Sequence, residues 1–187
     1  MNSIRWPLRH ARDVILGGGV IAYPTEAVFG LGCDPLEYEA VARILAIKSR
    51  DAAKGFILIA SQIEQLLPFL APLGKTLRQK LEASWPGPVT WVVPAARDIP
   101  VWLSGGRATI AVRVTAHPIA RQLCELTGMA LVSTSANRSG HPPARTALQV
   151  RTHLGSDVDY IVPGATGPGR KPTEIRDALT DKVLRTG

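Results

Sequence analysis

The sequence predicts a mixed α/β domain, in which short strands and amphipathic helices follow one another irregularly. The chain has 187 residues, of which 45% are hydrophobic, and this is enough to bury one core without disulfides or metal ions. Apolar runs of strand length are separated by segments whose apolar residues have helical spacing. Because no repeat, low-complexity tract or interdomain linker divides the chain, one domain over residues 1–187 is favoured over a regular doubly wound repeat.

Each predicted element has a local signal in the sequence. The first helix carries Leu8, Ala11 and Ile15 on one face and ends at Gly17. Further helices are predicted at 37–48, 63–70, 75–84, 118–127 and 146–154, and strands at 20–23, 56–60, 89–94, 107–115, 131–137, 160–162, 173–176 and 182–185. Segments rich in glycine and proline are predicted as loops or turns at 29–38, 85–88, 104–106 and 164–172.

The composition favours an anionic partner such as a nucleotide or a nucleic acid. Lys and Arg outnumber Asp and Glu by 22 to 15, which gives a net charge of +7. A basic but unspecialised surface is the alternative. Cys33, Cys124 and the scattered histidines lack the spacing of a zinc site or a disulfide framework. Neither a membrane span nor a signal-peptide core is present in the sequence, so a cytoplasmic location without membrane contact is predicted.

The segment LVSTSANRSG at 131–140 has a strand pattern with a polar face. Side chains alternate along a strand, so Ser133, Ser135 and Asn137 share one side. Hydroxyl and amide groups are short hydrogen-bond donors and acceptors. This face is therefore predicted to line a site for a polar ligand, and the turn after Asn137 is predicted to open at a cleft.

Three cations lie at and after the end of the second predicted helix, namely Lys48, Arg50 and Lys54. If the chain is extended beyond the helix, Lys48 and Arg50 point the same way. A guanidinium fork and ammonium point charges suit a polyphosphate. The alternative is a solvated helix end, whose cations favour the C-terminal dipole.

The strand that begins at Arg107 places Thr109, Arg113 and Thr115 on the same face as Arg107. A buried arginine in the middle of a strand needs an anionic partner, whereas an edge strand would expose this face to water. Two strands with hydroxylic faces could line one cavity. Thr25, at the end of the first strand, is either a ligand contact or an ordinary strand stop.

Two further features bear on mechanism. The loop at 164–172 carries Arg170 and Lys171, and it is either a lid with phosphate affinity or a surface loop. No nucleophile with a neighbouring histidine stands out in the sequence, nor does a pair of carboxylates in one loop. An enzyme with this sequence would therefore work by positioning and electrostatics.

Together these segments resemble the YrdC/TsaC family of threonylcarbamoyl-AMP synthases, over nearly the whole chain. The resemblance rests on six motifs in order: AYPTEAVFGLGCDP (22–35), K-S-R with K-G (48–55), W-P-G-P-V-T (85–90), A-V-R-V-T (111–115), STSAN-x-SG (133–140) and T-E-I-R-D (173–177). Such a combination is specific, although no single motif is. The chain resembles the short, single-domain form of the family.

The resemblance implies a fold, a reaction and partners. The fold is a twisted mixed β-sheet with flanking helices and a large basic concave cavity. The reaction joins L-threonine, bicarbonate or CO2, and ATP into threonylcarbamoyl adenylate and releases pyrophosphate. A separate threonylcarbamoyl-transferase complex then modifies the adenosine beside the anticodon of certain tRNAs. The family also includes proteins regarded as binding tRNA or double-stranded RNA.

The resemblance also implies site residues. The family signature falls on Lys48, Arg50, Ser135 and Asn137 as the catalytic set. Threonine contacts correspond to Thr25, Arg113, Ser133 and Thr173, and ATP contacts to Lys48, Thr109, Ser135, Pro143 and Arg185. The chain departs from the family pattern at three positions after the signature arginine, which are Asp51, Ala52 and Ile57.

The implied mechanism needs no protein nucleophile. The threonine amine captures CO2 or bicarbonate, and the carbamate oxygen attacks the α-phosphorus while Lys48, Arg50 and Mg2+ on the phosphates offset developing charge. The metal ligands are not assigned. One alternative is a non-catalytic factor that binds tRNA or double-stranded RNA, or that acts in ribosome maturation. Another is a transferase that uses carbamoyl phosphate.

Overall fold

The computed structural model describes residues 5–169 and 173–187. The helices are α1 (Arg5–Leu16), α2 (Tyr38–Lys48), α3 (Lys75–Glu82), α4 (Val101–Ser104), α5 (Pro118–Thr127) and α6 (Ala147–Leu154). The strands are β1 (Ile21–Pro24), β2 (Phe29–Gly32), β3 (Ile57–Ala60), β4 (Val89–Pro94), β5 (Thr109–Val114), β6 (Leu131–Ser135), β7 (Tyr160–Ile161), β8 (Glu174–Asp177) and β9 (Val183–Arg185). Short 3-10 turns occur at Ala52–Lys54, Ile63–Gln65, Leu67–Phe69 and Gly155–Asp157.

The strands form one mixed sheet in the order β7-β1-β2-β6-β3-β5-β4-β8-β9. Three neighbouring pairs are parallel, namely β1 with β7, β3 with β5 and β4 with β8. The other pairs are antiparallel. The prediction of a mixed α/β fold is thereby confirmed.

Helices α1 and α5 cover part of one sheet face. Leu8 and Ile15 of α1 and Leu123 of α5 belong to a buried cluster with Ile59 of β3 and Leu131 of β6. Proline at the first position of α5 and the left-handed Gly128 after it define the ends of that helix. Because side chains alternate, Ile57 and Ser133, two residues from Ile59 and Leu131, lie on the same face. Both line a cleft rather than lie beneath a helix, so the helices leave this part of the face open.

The opposite face carries the larger core. Ile44 of α2 packs in a cluster with Leu58 of β3, Val112 of β5 and Val132 of β6, and all four side chains are fully buried. α2 ends where Ser49 takes a left-handed conformation, with φ 46° and ψ 49°. The chain therefore turns sharply after Lys48 and leads the next cations toward the other side of the sheet.

The segment Phe29–Gly32 is a buried strand, not the loop that its glycines predicted. A Cβ on Gly32 would lie 2.7 Å from both the Tyr23 ring and the Val132 carbonyl oxygen. The glycine is needed because neighbouring strands and the tyrosine ring approach closely, and not because the chain turns there.

The structure also differs from the prediction at 63–70, at the end of β6 and at 101–104. Residues 63–70 form two 3-10 turns in place of one helix, and Pro68 lies in the first turn of the second. β6 ends at Ser135, so Asn137 lies in the turn beyond the strand. Residues 101–104, placed between two predicted strands without an element of their own, form the short helix α4.

The predicted loop at 164–172 is only partly described. Gly167 N donates to the carbonyl oxygen of Thr25 at 2.9 Å, and Gly169 N donates to that of Glu26 at 3.1 Å. The described part is therefore docked on the domain. Arg170 and Lys171, which carry the predicted phosphate affinity, lie outside the described residues. Within the described ranges, every helix is too short or too polar to cross a bilayer.

Candidate active site

A cleft of about 870 Å³ occupies the open part of the sheet face. It brings together nine of the eleven predicted site residues, and these are Thr25, Arg50, Thr109, Arg113, Ser133, Ser135, Pro143, Thr173 and Arg185. They come from distant parts of the chain and meet because β3, β5 and β6 are adjacent in the sheet. The remaining two, Lys48 and Asn137, are not part of the cleft lining, but both contact Ser135, which is.

Lys48 is 4% exposed and holds the end of β6 in place. Its ammonium donates to the backbone carbonyls of Ser135 and Asn137 and, at 3.1 Å, to Asn137 Oδ1. An ammonium has three protons, so these three acceptors use all of them. Ser135 Oγ donates to the same Asn137 oxygen at 2.6 Å. Burial and, secondarily, the charge of Arg50 lower the pKa of Lys48 to about 8.

The turn after β6 also donates hydrogen bonds to carbonyls at the end of α2. Ser139 N donates to the Lys48 carbonyl at 2.9 Å, and Arg138 Nη1 donates to the Ile47 carbonyl at 3.2 Å. These bonds satisfy carbonyls that the end of a helix leaves without partners. Asn137 Nδ2 donates to the Arg138 and His141 carbonyls. The signature residues Lys48, Ser135 and Asn137 thus form one network that shapes the cleft.

Arg50, Lys54 and Arg107 line one end of the cleft, called here the cationic end. Arg107 donates from Nη1 to the Ala53 carbonyl at 2.6 Å and from Nη2 to the Lys54 carbonyl at 2.8 Å. Arg50 Nη2 donates to the Gly55 carbonyl at 3.0 Å. Two guanidinium groups therefore hold three successive carbonyls of the turn that carries Lys54.

The positive charge of the cationic end is not neutralised by an ion pair between described residues. Burial and, secondarily, the charge of Arg107 lower the pKa of Arg50 below its ordinary value. Arg50 Nε is buried and has no hydrogen-bond partner in the part of the chain that the structure describes. The salt bridges found between described residues include none with Arg50, Lys54 or Arg107. Such an arrangement suits a polyanion, since a ligand can supply the missing counter-charge and acceptors.

Thr25, Arg113 and Thr173 line another part of the cleft, called here the Arg113 end. Arg113 is 4% exposed, and its Nη2 donates to Glu26 Oε2 at 3.0 Å. Its Nη1 donates to Thr173 Oγ1 at 2.6 Å. Arg185 donates to the backbone carbonyl of Thr173, with Nη2 at 2.7 Å, so two arginines meet at one threonine.

Sequence reasoning did not assign Glu26 or the carbonyl contacts of Arg107. Glu26 directly follows Thr25, and Arg113 and Thr115 share a strand face, but only the fold shows that this face meets Glu26. The edge-strand alternative for 107–115 is excluded, because β5 lies between β3 and β4 and Arg113 is buried. The expected buried arginine with an anionic partner is therefore present, although its partner belongs to the protein.

The described residues offer a divalent cation few ligands of their own. In the ranges 5–169 and 173–187, no cluster of three or more His, Cys, Asp or Glu side chains could hold a metal ion. Asp177 lines the cleft, and its Oδ1 accepts hydrogen bonds from the amides of Leu179 and Thr180. Mg2+ commonly binds to substrate phosphates with only one or two protein carboxylates. The described residues fit this arrangement, and they do not fit a site built from protein ligands alone.

Both cysteines are buried and free. Burial raises the pKa of the Cys124 thiol to about 12 and raises that of Cys33 further. Both thiols are therefore protonated at neutral pH and are poor nucleophiles.

Comparison with known proteins places this chain in a family. The model of the Sua5/YciO/YrdC family, described as "Telomere recombination", matches residues 13–187. A protein of Nitrosococcus oceani named threonylcarbamoyl-AMP synthase is 58% identical over 185 residues, which are 99% of this chain and 100% of the relative. A protein of the same name from Halorhodospira halophila is 53% identical over 178 residues, 95% of this chain and 93% of the relative.

A solved structure agrees with the fold. The crystal structure of P. abyssi Sua5 complexed with L-threonine superimposes with a TM-score of 0.89 at 32% identity, over 96% of this chain and 54% of the other. This chain thus spans about half of the length of that protein. The match of the family model over most of the chain and the near-complete coverage of both curated relatives confirm the resemblance that the six motifs predicted. The chain belongs to the Sua5/YciO/YrdC family.

Proposed function

We propose that this protein is a threonylcarbamoyl-AMP synthase, which forms L-threonylcarbamoyladenylate from L-threonine, bicarbonate or CO2, and ATP, and releases pyrophosphate. The relatives that carry this name match along their full or nearly full length. The observation that carries the proposal is the division of one cleft into two chemically different ends. One end has unpaired cations for a polyphosphate, and the other has a buried arginine beside hydroxyl groups.

In the proposed complex, the triphosphate of ATP occupies the cationic end and threonine occupies the Arg113 end. Among the described residues, no acceptor binds the Nε–H of Arg113, and this donor suits the α-carboxylate of the amino acid. Thr25 Oγ1 already donates to the Val28 carbonyl at 2.7 Å, so its oxygen is left to accept from the substrate. The two substrates then meet above Ser133 and Ser135 of β6.

The chemistry follows from this placement. The neutral amine of threonine adds to the carbon of CO2, one C–O π bond opens to give a carboxylate, and the nitrogen releases one proton to water, which leaves a carbamate. One carbamate oxygen then attacks the α-phosphorus. A new oxygen–phosphorus bond forms while the bond from the α-phosphorus to the bridging oxygen breaks, and pyrophosphate leaves with that electron pair. Arg50 and Lys54 stabilise the charge that accumulates on the leaving group, because charges fixed in place need no reorganisation during the step. A magnesium ion on the phosphates would neutralise further charge there.

Lys48 and Asn137 have an indirect role in this scheme. They orient Ser135 and the end of β6, since their hydrogen-bonding groups are occupied within the protein. Pro143 and Thr109 form the rest of the nucleotide-binding surface, and Arg185 reaches the nucleotide from the Arg113 end, where it binds the Thr173 carbonyl. The product would pass to a threonylcarbamoyl-transferase complex that acts on tRNA. Residues 1–187 act as one domain, and the location is cytoplasmic.

The decisive assay follows pyrophosphate release with protein, magnesium ATP, bicarbonate and threonine, each omitted in turn. We expect release only when all are present, and a product with the mass of threonylcarbamoyl adenylate. Pyrophosphate release that is independent of threonine would rule the proposal out. If the protein binds tRNA or double-stranded RNA but releases no pyrophosphate, the non-catalytic RNA-binding alternative is correct.

A further inference from the structure

The side chain of Glu26 lies behind Arg113 and uses both carboxylate oxygens there. Oε2 accepts from Arg113 Nη2 at 3.0 Å, and Oε1 accepts from Thr115 Oγ1 at 2.6 Å. Arg113 and Thr115 are two residues apart on one face of β5, so a single acid bridges them. The ion pair is largely buried, with side-chain exposures of 5% for Arg113 and 16% for Glu26.

The hydrogen bonds of Arg113 show what this pairing leaves available. A guanidinium has five N–H donors in a fixed plane. Nη2 is directed to Glu26 and Nη1 to Thr173, while the buried Nε has no partner within residues 5–169 and 173–187. Arg113 lines the cleft and Glu26 does not. The acid therefore acts on a ligand only through the arginine, by fixing the plane of the guanidinium.

The backbone of Glu26 is held as firmly as its side chain. Its carbonyl accepts from Gly169 N at 3.1 Å. A Cβ on Gly167 or Gly169 would lie 2.7 or 2.8 Å from that oxygen, so only glycine permits this approach. Burial alone would raise the pKa of Glu26, but the charge of Arg113 and the Thr115 hydrogen bond outweigh it and lower the pKa. Glu26 is thus a charged group at neutral pH with little freedom to move.

Glu26 lowers the net charge of the Arg113 end, where Arg185 also lies and has no ion-pair partner among the described residues. Arg113 is neutralised by Glu26. The ion pairs among described residues provide no such partner for Arg50, Lys54 or Arg107. A triphosphate or pyrophosphate is attracted by the unpaired cations, whereas a paired arginine favours a singly charged carboxylate that it can hold by geometry.

We propose that Glu26 is a positioning and specificity residue, which orients Arg113 for the α-carboxylate of the amino acid and prevents phosphate groups from occupying the Arg113 end. The inference rests on the proposed function, because it assigns the Arg113 end to threonine. Removal of the negative charge should have two separate effects. The guanidinium is held less firmly, because an amide has one acceptor oxygen for two donors. Arg113 also becomes a second unpaired cation beside Arg185, and the two together attract pyrophosphate.

The test compares Glu26→Gln with wild type in the pyrophosphate-release assay. We expect KM for threonine to rise about tenfold or more, with KM for ATP within about twofold of wild type. We also expect added pyrophosphate to become a competitive inhibitor against threonine in the variant only. Glu125→Gln is the matched control, because it removes an acid from the exposed pair with Arg121. It should leave both KM values and the inhibition pattern unchanged.

Two further variants keep the test decisive if Glu26→Gln does not fold. Glu26→Asp preserves the charge and should retain the wild-type inhibition pattern. Thr115→Val removes one anchor of the carboxylate and should raise KM for threonine severalfold, with ATP affected less. Thermal unfolding and ATP binding are measured for each variant.

The outcomes separate the two proposals. Suppose that wild type is active and that KM for threonine in Glu26→Gln stays within twofold of wild type. The proposed role of Glu26 is then wrong. If Glu26→Gln is unfolded, the same criterion applies to Thr115→Val. Equal rises in both KM values, without a change in the inhibition pattern, would also overturn that role, because they indicate general damage to the fold. If wild type releases no threonine-dependent pyrophosphate, the proposed function itself fails.

Discussion

The ammonium of Lys48 binds Asn137 twice, at the backbone carbonyl (2.9 Å) and at the side-chain oxygen (3.1 Å). The two residues are 89 positions apart and join the end of α2 to the turn after β6. With a third bond to the Ser135 carbonyl, no proton of the ammonium remains for a phosphate. The four residues predicted as the signature therefore divide into a group that shapes the cleft, Lys48 and Asn137, and a group that lines it, Arg50 and Ser135.

Substitution of Lys48 tests this division. We expect Lys48→Met to lower kcat by about 100-fold, the usual effect of misplacing groups that position the substrate, with a change in KM for ATP below about threefold. The rate falls because Ser135 and Asn137 lose their shared anchor, while the cations that face the phosphates remain. The exposed Lys75 gives a control, since Lys75→Met changes the same charge away from the cleft. A rise in KM for ATP as large as the fall in kcat would instead indicate direct contact with the nucleotide.

The pH dependence of Lys48 gives a second prediction. The folded protein loses this proton near pH 8, whereas an unfolded chain retains it to about 10.4, the ordinary lysine value. Between these values the unfolded state binds more protons, so the free energy of unfolding should rise with pH. The rate should fall over the same range as the anchoring charge is lost. An NMR titration of the Lys48 side chain, assigned with Lys48→Met, measures the pKa, and a midpoint near 10.4 would contradict the prediction.

The same residues show how much of the fold and of the candidate site could be predicted from the sequence. The polar face of β6, the alternation of β5 and the cations after α2 were recognisable because strand and helix periodicities are local properties. The sequence did not show which of these groups face the ligand, because the chain turns at Ser49 and separates Lys48 from Arg50. The left-handed conformation of Ser49 is not indicated by the sequence. The strand at Phe29–Gly32 was missed for a related reason, since its glycines are required by the Tyr23 ring and by β6, which are distant in sequence.

Arg107 provides a third prediction. It binds the carbonyls of Ala53 and Lys54 and also lines the cleft, so Arg107→Ala should both loosen the turn and remove a cation. We expect ATP affinity to fall about tenfold or more, with threonine affinity changed less, because a charge-assisted hydrogen bond contributes about 1.5–3 kcal/mol. Arg97→Ala is the control, since Arg97 is an exposed arginine outside the cleft lining. Binding calorimetry on both variants measures the difference, and equal affinities would refute the role.

The last prediction concerns the packing of α4 against the turn at Ala52–Lys54. Gly105 and Gly128 both follow a helix in the left-handed conformation, with φ of 64° and 73°. A Cβ on Gly105 would lie 2.4 Å from the Ala53 carbonyl oxygen, whereas a Cβ on Gly128 would have no atom within 4 Å. Gly128→Ala should therefore cost about 1–2 kcal/mol of unfolding free energy, the penalty of a left-handed residue with a side chain.

Gly105→Ala has the same backbone penalty and an added overlap that only movement of Ala53 can relieve. Because Arg107 holds that carbonyl, the displacement must reach Lys54 and the cationic end. We expect Gly105→Ala to be less stable than Gly128→Ala by about 1–3 kcal/mol, as for overpacked sites, and to bind ATP more weakly. Urea denaturation gives the stability difference, and ATP titration of the folded variants gives the affinity. Equal stability with unchanged ATP binding would mean that the turn moves freely, and that α4 does not support the phosphate-binding residues.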